Sequence, residues 1–204
     1  MKKILFILLL IVQNTINAQT YYDVDNNKID KATFDKLKLN KKNMEVQNDS
    51  LNRFKLINFD ERMEVGSLED SSNLINTLNE KLNLKLDRNK PLIIYYYPGK
   101  DPCNSSGVFT KRKEMLEWDL KVDVEVRKIA DVNVLRIYKN SEGIKTLKDH
   151  VWKKDPNALI ENLFFNYHYP CGSFVVINKE KYAAFFGEYG YNEVKVNLAY
   201  LLKQ

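Results

Sequence analysis

The sequence has 204 residues, of which 44% are hydrophobic, 29% charged and 12% aromatic. That balance excludes a disordered chain, a collagen-like repeat and a multi-span membrane protein, and seven Gly and five Pro are too few for a low-complexity linker. The formal charge of +5 falls to +3 without Lys2 and Lys3, and so small and scattered a surplus gives no reason to expect nucleic acid. Two Cys allow one disulfide at most, so the chain must rely on an ordinary hydrophobic core.

Lys2-Lys3 form a positive n-region, Ile4 to Val12 a nine-residue apolar h-region, and Asn17-Ala18 a small-residue exit before Gln19. This is the pattern of a secretory signal peptide over residues 1–18. Nine apolar residues make a helix of ~14 Å against roughly 30 Å of hydrocarbon, so a membrane anchor fits poorly. No Cys follows the h-region, which argues against a lipid-anchored lipoprotein. The expectation is a chain cut near Ala18 and exported to the periplasm or the medium, with no membrane span in its mature part. In such an oxidising compartment both Cys gain interest.

Residues 19–66 are rich in Asn, Asp and Lys and read as an N-terminal appendage, too thin in apolar residues to hold its own core. Asp30 can cap a short helix through Leu37, and 43–59 reads as a hairpin turning at Asn48-Asp49-Ser50. Asp23, Asp25, Asn27 and Asp30 hint at a calcium loop. Lys28 stands where such a loop needs Gly, and Phe34 where it needs the bidentate Glu, so a solvated loop is the better reading.

Residues 67–204 have the size of one domain. Leu74, Ile75, Leu78 and Leu82 fall at helical spacing behind candidate caps Asp70 and Ser71. Leu92 to Tyr97, between Pro91 and Pro98-Gly99, is a continuous apolar and aromatic run, expected of a strand buried on both faces. A helix is expected from about Asn104 to Trp118. Val122 to Tyr138 reads as β-rich, with Val122, Val124 and Val126 alternating against Asp123, Glu125 and Arg127. Asp155-Pro156 opens a helix whose apolar face holds Leu159, Ile160, Leu163, Phe164 and Tyr167. Ser173 to Ile177 and Lys181 to Phe186 form an antiparallel hairpin. Asn192 caps a last helix with Val194, Leu198, Leu201 and Leu202 facing inward. The fold class is therefore α/β, a central mixed sheet with helices on both faces.

That order, with a hydrophobic strand ending at a Cys-bearing helix start, resembles the thioredoxin-like superfamily, in particular secreted thiol–disulfide oxidoreductases. The stretch Cys171-Gly172-Ser173-Phe174-Val175-Val176-Ile177-Asn178-Lys179-Glu180 is similar to the family's cis-proline loop and following strand, and Pro91 to Cys103 to its strand running into Trp-Cys-x-x-Cys. The resemblance covers about residues 70–204. The Cys-x-x-Cys motif itself is degenerate. In one overlay Lys100-Asp101-Pro102-Cys103 takes its place and Lys100 replaces the nucleophilic Cys. In the other, Cys103 opens a monothiol Cys103-Asn104-Ser105-Ser106. Tyr95-Tyr96-Tyr97-Pro98 is also similar to the peroxiredoxin stretch before the peroxidatic Cys, without its Thr and two residues shorter to the Cys. At the cis-proline place stands Gly172 or Ser173, unless Pro170 takes the role.

The resemblance implies a redox site centred on Cys103, with Lys100, Pro102, Pro170 and Ser173 around it and Cys171 on the same edge as its disulfide partner. A thiolate at Cys103 would be stabilised by the helix start and by Lys100, and a protein thiol or disulfide would be the partner. The alternative is a non-catalytic binding or structural module with structural cysteines. No cofactor is implied, and metal is not expected, because of the four Cys and His only His168-x-x-Cys171 has the close spacing of a zinc ligand pair, His150 lying apart. His168 reads as a partly exposed loop residue. Tyr95, Tyr96 and Tyr97 read as core aromatics with their hydroxyls reaching the sheet edge. If the leader is processed as expected, mass spectrometry of exported protein finds an N-terminus near Gln19; an intact Met1 overturns the expectation.

Overall fold

The computed structural model describes residues 19–105, 112–144 and 151–204; the leader and His150 lie outside them. Two sheets form. The first has the order β2-β1-β4-β3 and combines β1 (Thr20–Tyr22), β2 (Lys28–Ile29), β3 (Asn43–Asn48) and β4 (Arg53–Asn58). The expected hairpin is present, with Asn48 paired to Arg53 at its turn. Asp30 caps α1 (Lys31–Lys38) by accepting from the Thr33 N–H at 2.9 Å, and Asp23 closes the β1–β2 turn by accepting from the Asp25 and Asn27 N–H groups.

This N-terminal unit does hold a small core, contrary to expectation. Tyr21, Phe34 and Leu56 pack together with Ile29 and Phe54, the Tyr21 ring lying 5.0 Å from Phe34 and 5.3 Å from Phe54. Three aromatic rings supply the area that its sparse aliphatic residues do not. Its opposite side is not free either, because Val46 and Ile57 are buried in the main core.

The second sheet has the order β5-β10-β9-β6-β7-β8. Its centre is β6 (Leu92–Tyr97), parallel to β7 (Asn133–Tyr138) and antiparallel to β9 (Ser173–Asn178). β10 (Lys181–Phe185) pairs antiparallel with β9. Two edge strands went unforeseen: β5 (Met63–Ser67) beside β10, and the short β8 (Lys153–Lys154) beside β7. β5 straddles the boundary drawn at residue 66, and most of its side chains are exposed, so its short Met63-Glu64-Val65 alternation marks no buried face.

Helices cover both faces of this α/β layer. Leu92, Ile94 and Tyr96 of β6 face a cluster with Leu74, Ile75 and Leu78 of α2 (Ser71–Leu82) and Ile160 and Phe164 of α5 (Leu159–Phe164). Ile93 and Tyr95 face the other way, toward Val122 and Val126 of α4 (Arg112–Arg127) and Val194, Leu198 and Leu201 of α6 (Tyr191–Leu201). A strand sealed on both faces needs the uninterrupted apolar run that β6 carries. Asp70 caps α2 as expected, accepting from Asn73 N–H at 2.7 Å. Among the described residues no helix is long and apolar enough to cross a membrane.

Three local expectations are corrected. Val122 to Arg127 is helix, not strand: Val122 and Val126 are buried four residues apart, while Val124 is 55% exposed. A Val-x-Val-x-Val run satisfies both periods at its ends, and only the middle residue separates them. The last helix begins after Gly190, whose N–H donates to the Glu193 carboxylate at 2.9 Å, so Asn192 is not the cap, and Leu202 is 41% exposed. Asp155 caps α5 through the Ile160 and Glu161 N–H groups at 3.0 and 2.9 Å, across a 3-10 turn (Pro156–Ala158) in which Asn157 and Ala158 have positive φ. This offset turns Ile160 and Phe164 inward and leaves Leu163 42% exposed. Phe164→Asp should therefore cost several kcal/mol, and Leu163→Asp no more than about 0.5 kcal/mol; equal denaturation midpoints would contradict this placement.

Candidate functional site

Where β6 ends, Pro98-Gly99 turns the chain into α3 (Pro102–Ser105). The turn is knotted by polar groups. Asp101 N–H donates to Asn104 Oδ1 at 2.9 Å, Asn104 N–H donates back to Asp101 Oδ1 at 2.8 Å, and Asn104 Nδ2 donates to the Gly99 carbonyl at 2.7 Å. Pro102 occupies the first helical position, where its missing N–H costs nothing. Cys103 follows, partly buried, and is disulfide-bonded to Cys171 with the two Cα atoms 5.0 Å apart. The expected pairing is thus present, and it closes a separation of 68 positions.

The second arm is the segment leading into β9. Cys171 has φ +69° and Gly172 φ +149°, a left-handed pair that only Gly adopts without cost. A Cβ at Gly172 would stand 3.2 Å from the Tyr96 carbonyl, so the absent side chain lets this segment meet the end of the central strand. Ser173, fully buried, accepts from Gly187 N–H at 3.2 Å and ties β9 to the loop after β10. No described peptide bond is cis, that of Pro170 included.

The two arms share a buried carboxylate that sequence reasoning had seen only as part of a degenerate tetrad. Asp101, 9% exposed, turns its Oδ2 to Cys171 N–H at 3.0 Å and to His168 Nε2 at 3.2 Å. His168 is therefore a partner of the site, and its own N–H donates to the Gln47 carbonyl of β3 at 2.6 Å. Glu188 is the second residue missed. It is exposed, in the loop after β10, and its carboxylate oxygen and the two sulfurs all lie within 4.8 Å of one another. Asp101 lies two residues from Cys103 and was legible as a helix cap; Glu188, 85 positions from Cys103, carries no motif.

Lys100, expected beside the thiols, has an ion-pair partner of its own. It is exposed, and its Nζ lies 3.8 Å from Glu142. Tyr97 Oη donates to the Glu142 carbonyl at 2.8 Å, and burial, then the charges of Asp101 and Glu142, push its hydroxyl up to about 12. Burial also raises the hydroxyls of Tyr95, Tyr96 and the partly buried Tyr189 well above the ordinary tyrosine value. Of the triple Tyr, only Tyr97 reaches outward.

A carboxylate ~4.8 Å from a thiolate opposes it by about 1–3 kcal/mol between aqueous and protein-surface screening. A helix start contributes about 0.3–1 kcal/mol in the other direction. With Asp101 and Glu188 both present, the field around the sulfurs disfavours a thiolate, and the uncharged disulfide suits it. Comparison with protein-family models, curated proteins and solved structures gives no match for this chain.

The arrangement makes Asp101, rather than Lys100, the side chain on which the site depends. Asp101→Ala leaves the Cys171 N–H without its acceptor and should cost about 1–3 kcal/mol. Lys100→Ala, removing an exposed pair, should stay within about 0.5 kcal/mol. Urea denaturation of the two oxidised variants checks the contrast, and a Lys100 cost equal to that of Asp101 would refute it.

Proposed function

We propose that the chain is an exported, thioredoxin-like protein with an atypical thiol–disulfide role centred on Cys103, resting oxidised and exchanging with a protein dithiol. The observation that carries this reading is a part-exposed Cys103–Cys171 bond at the carboxyl end of the central strand, the position where α/β sheets present their chemistry. The strand order β10-β9-β6-β7, with β6 parallel to β7 and antiparallel to β9, supports the thioredoxin-like assignment. Export rests on the signal-like leader. In exchange, an incoming thiolate bonds to one sulfur and expels the other, and the partner's second thiol then resolves the mixed disulfide.

A second reading has its own observation. Asp101 and Glu188 disfavour thiolates, so the bond can instead be a permanent clamp in a non-catalytic binding or structural module. In the chain-entropy relation a loop of this length contributes about 4 kcal/mol. Titration in glutathione buffers, following free thiols and melting temperature together, separates the two. The exchange reading expects reduction within the glutathione range, with the fold retained and a melting shift of only about 2–4 °C for each kcal/mol lost. Resistance throughout that range, with unfolding on forced reduction, would leave the clamp.

A further inference from the structure

Exchange uses the two sulfurs and leaves Glu188 without a task. The carboxylate oxygen of Glu188 and the sulfurs of Cys103 and Cys171 lie mutually within 4.8 Å. We propose that reduction converts this group into a three-ligand site for a thiophilic divalent cation of the zinc class. The inference rests on the exchange reading in one respect only, that the bond can open.

Tetrahedral zinc holds thiolates at ~2.3 Å, which places two of them roughly 3.8 Å apart. With Cα atoms 5.0 Å apart, rotation about each Cα–Cβ bond separates the sulfurs to that distance without moving the main chain. Zinc–carboxylate bonds of about 2.0–2.2 Å bring the oxygen to roughly 3.5 Å from each sulfur, so Glu188 has about 1 Å to close. Its side chain is exposed and can do so. Its main chain is held meanwhile, because Arg62 Nη1 donates to the Glu188 carbonyl at 2.7 Å. Three protein ligands leave the fourth position to water, as in open zinc sites.

The charges agree. Two thiolates and Glu188 stand beside the buried Asp101, and a dication removes the repulsion that opposes the thiolates in its absence. Of the cations nearby, Lys100 faces Glu142 and His168 faces Asp101; the Arg62 guanidinium donates to the Glu188 and Phe186 carbonyls and interacts with the Glu188 charge, so it offsets part of the negative charge without contributing a ligand. The balance is simple. A dithiol reductant delivers two electrons and two protons, the Cys103–Cys171 bond breaks, and the reductant closes to its own disulfide. The cation then displaces both thiol protons to solvent.

The test uses the exported protein, reduced with dithiothreitol, freed of it anaerobically, and titrated with cobalt(II) and then zinc. The expected result is one equivalent bound with a thiolate-to-cobalt charge-transfer band in the reduced protein and none in the oxidised one, with the fold followed by circular dichroism. Glu188→Gln, a change at an exposed loop residue, should weaken binding at least tenfold, and Cys103→Ser should abolish the band. A bond that opens to two free thiols without any such band overturns the site and leaves exchange standing. A bond that dithiothreitol cannot open overturns both. Equal affinity in Glu188→Gln reduces the site to a dithiol and overturns the assignment of Glu188.

Discussion

The Asp101 carboxylate is the constraint on which the rest of this end of the molecule depends. A buried carboxylate is stable only with its oxygens hydrogen-bonded, and Asp101 divides its two between separate parts of the chain. One oxygen closes the turn into α3 through Asn104; the other meets Cys171 N–H and His168. It thereby runs parallel to the disulfide, a polar bridge beside a covalent one, joining the same two segments. His168 extends the linkage to Gln47 of β3. The exit of the central strand, the entry to β9 and the N-terminal hairpin thus meet around one buried carboxyl group.

That junction changes the role of the first third of the chain. The N-terminal sheet has its own aromatic core, yet Val46 and Ile57 also close the main one beside Leu74 and Phe165. Asn48 Nδ2 donates to the Asn166 carbonyl, so the hairpin also holds the segment preceding Cys171. The segment that carries Cys171 is therefore fixed at three places: by the hairpin, by Asp101 and by the disulfide. Its left-handed backbone at Cys171 and Gly172 is tolerated because these neighbours over-determine it.

What could be read from the sequence follows from how local each cause is. β6 was legible because burial on both faces requires six consecutive large apolar residues, and the Asp30, Asp70 and Asp155 caps because a carboxylate at a helix start acts on N–H groups a few positions away. The phase of α5 was not legible: two positive-φ residues, Asn157 and Ala158, shift it, and although Asn adopts that region readily, Ala does not announce it. β5 was not legible because an exposed edge strand is specified by its partner β10 rather than by its own pattern. The disulfide came from a resemblance over a long stretch, whereas Glu188 reaches the sulfurs only through the placement of the loop after β10. Long-range juxtaposition is the information a single sequence carries least.

The electrostatics of the sulfur site give the last step. An ordinary reactive thiol is built by surrounding it with positive charge, and here the lysine that sequence suggested for that purpose turns to Glu142. In its place stand a buried aspartate and an exposed glutamate. Such a setting favours species that do not add negative charge: an intact disulfide, a protonated dithiol, or thiolates already neutralised by a cation. A bare thiolate waiting to attack is the one state it opposes. The group is better suited to moving between closed and capped states than to repeated nucleophilic turnover, because the acidic surroundings of Cys103 oppose the free thiolate that such turnover requires.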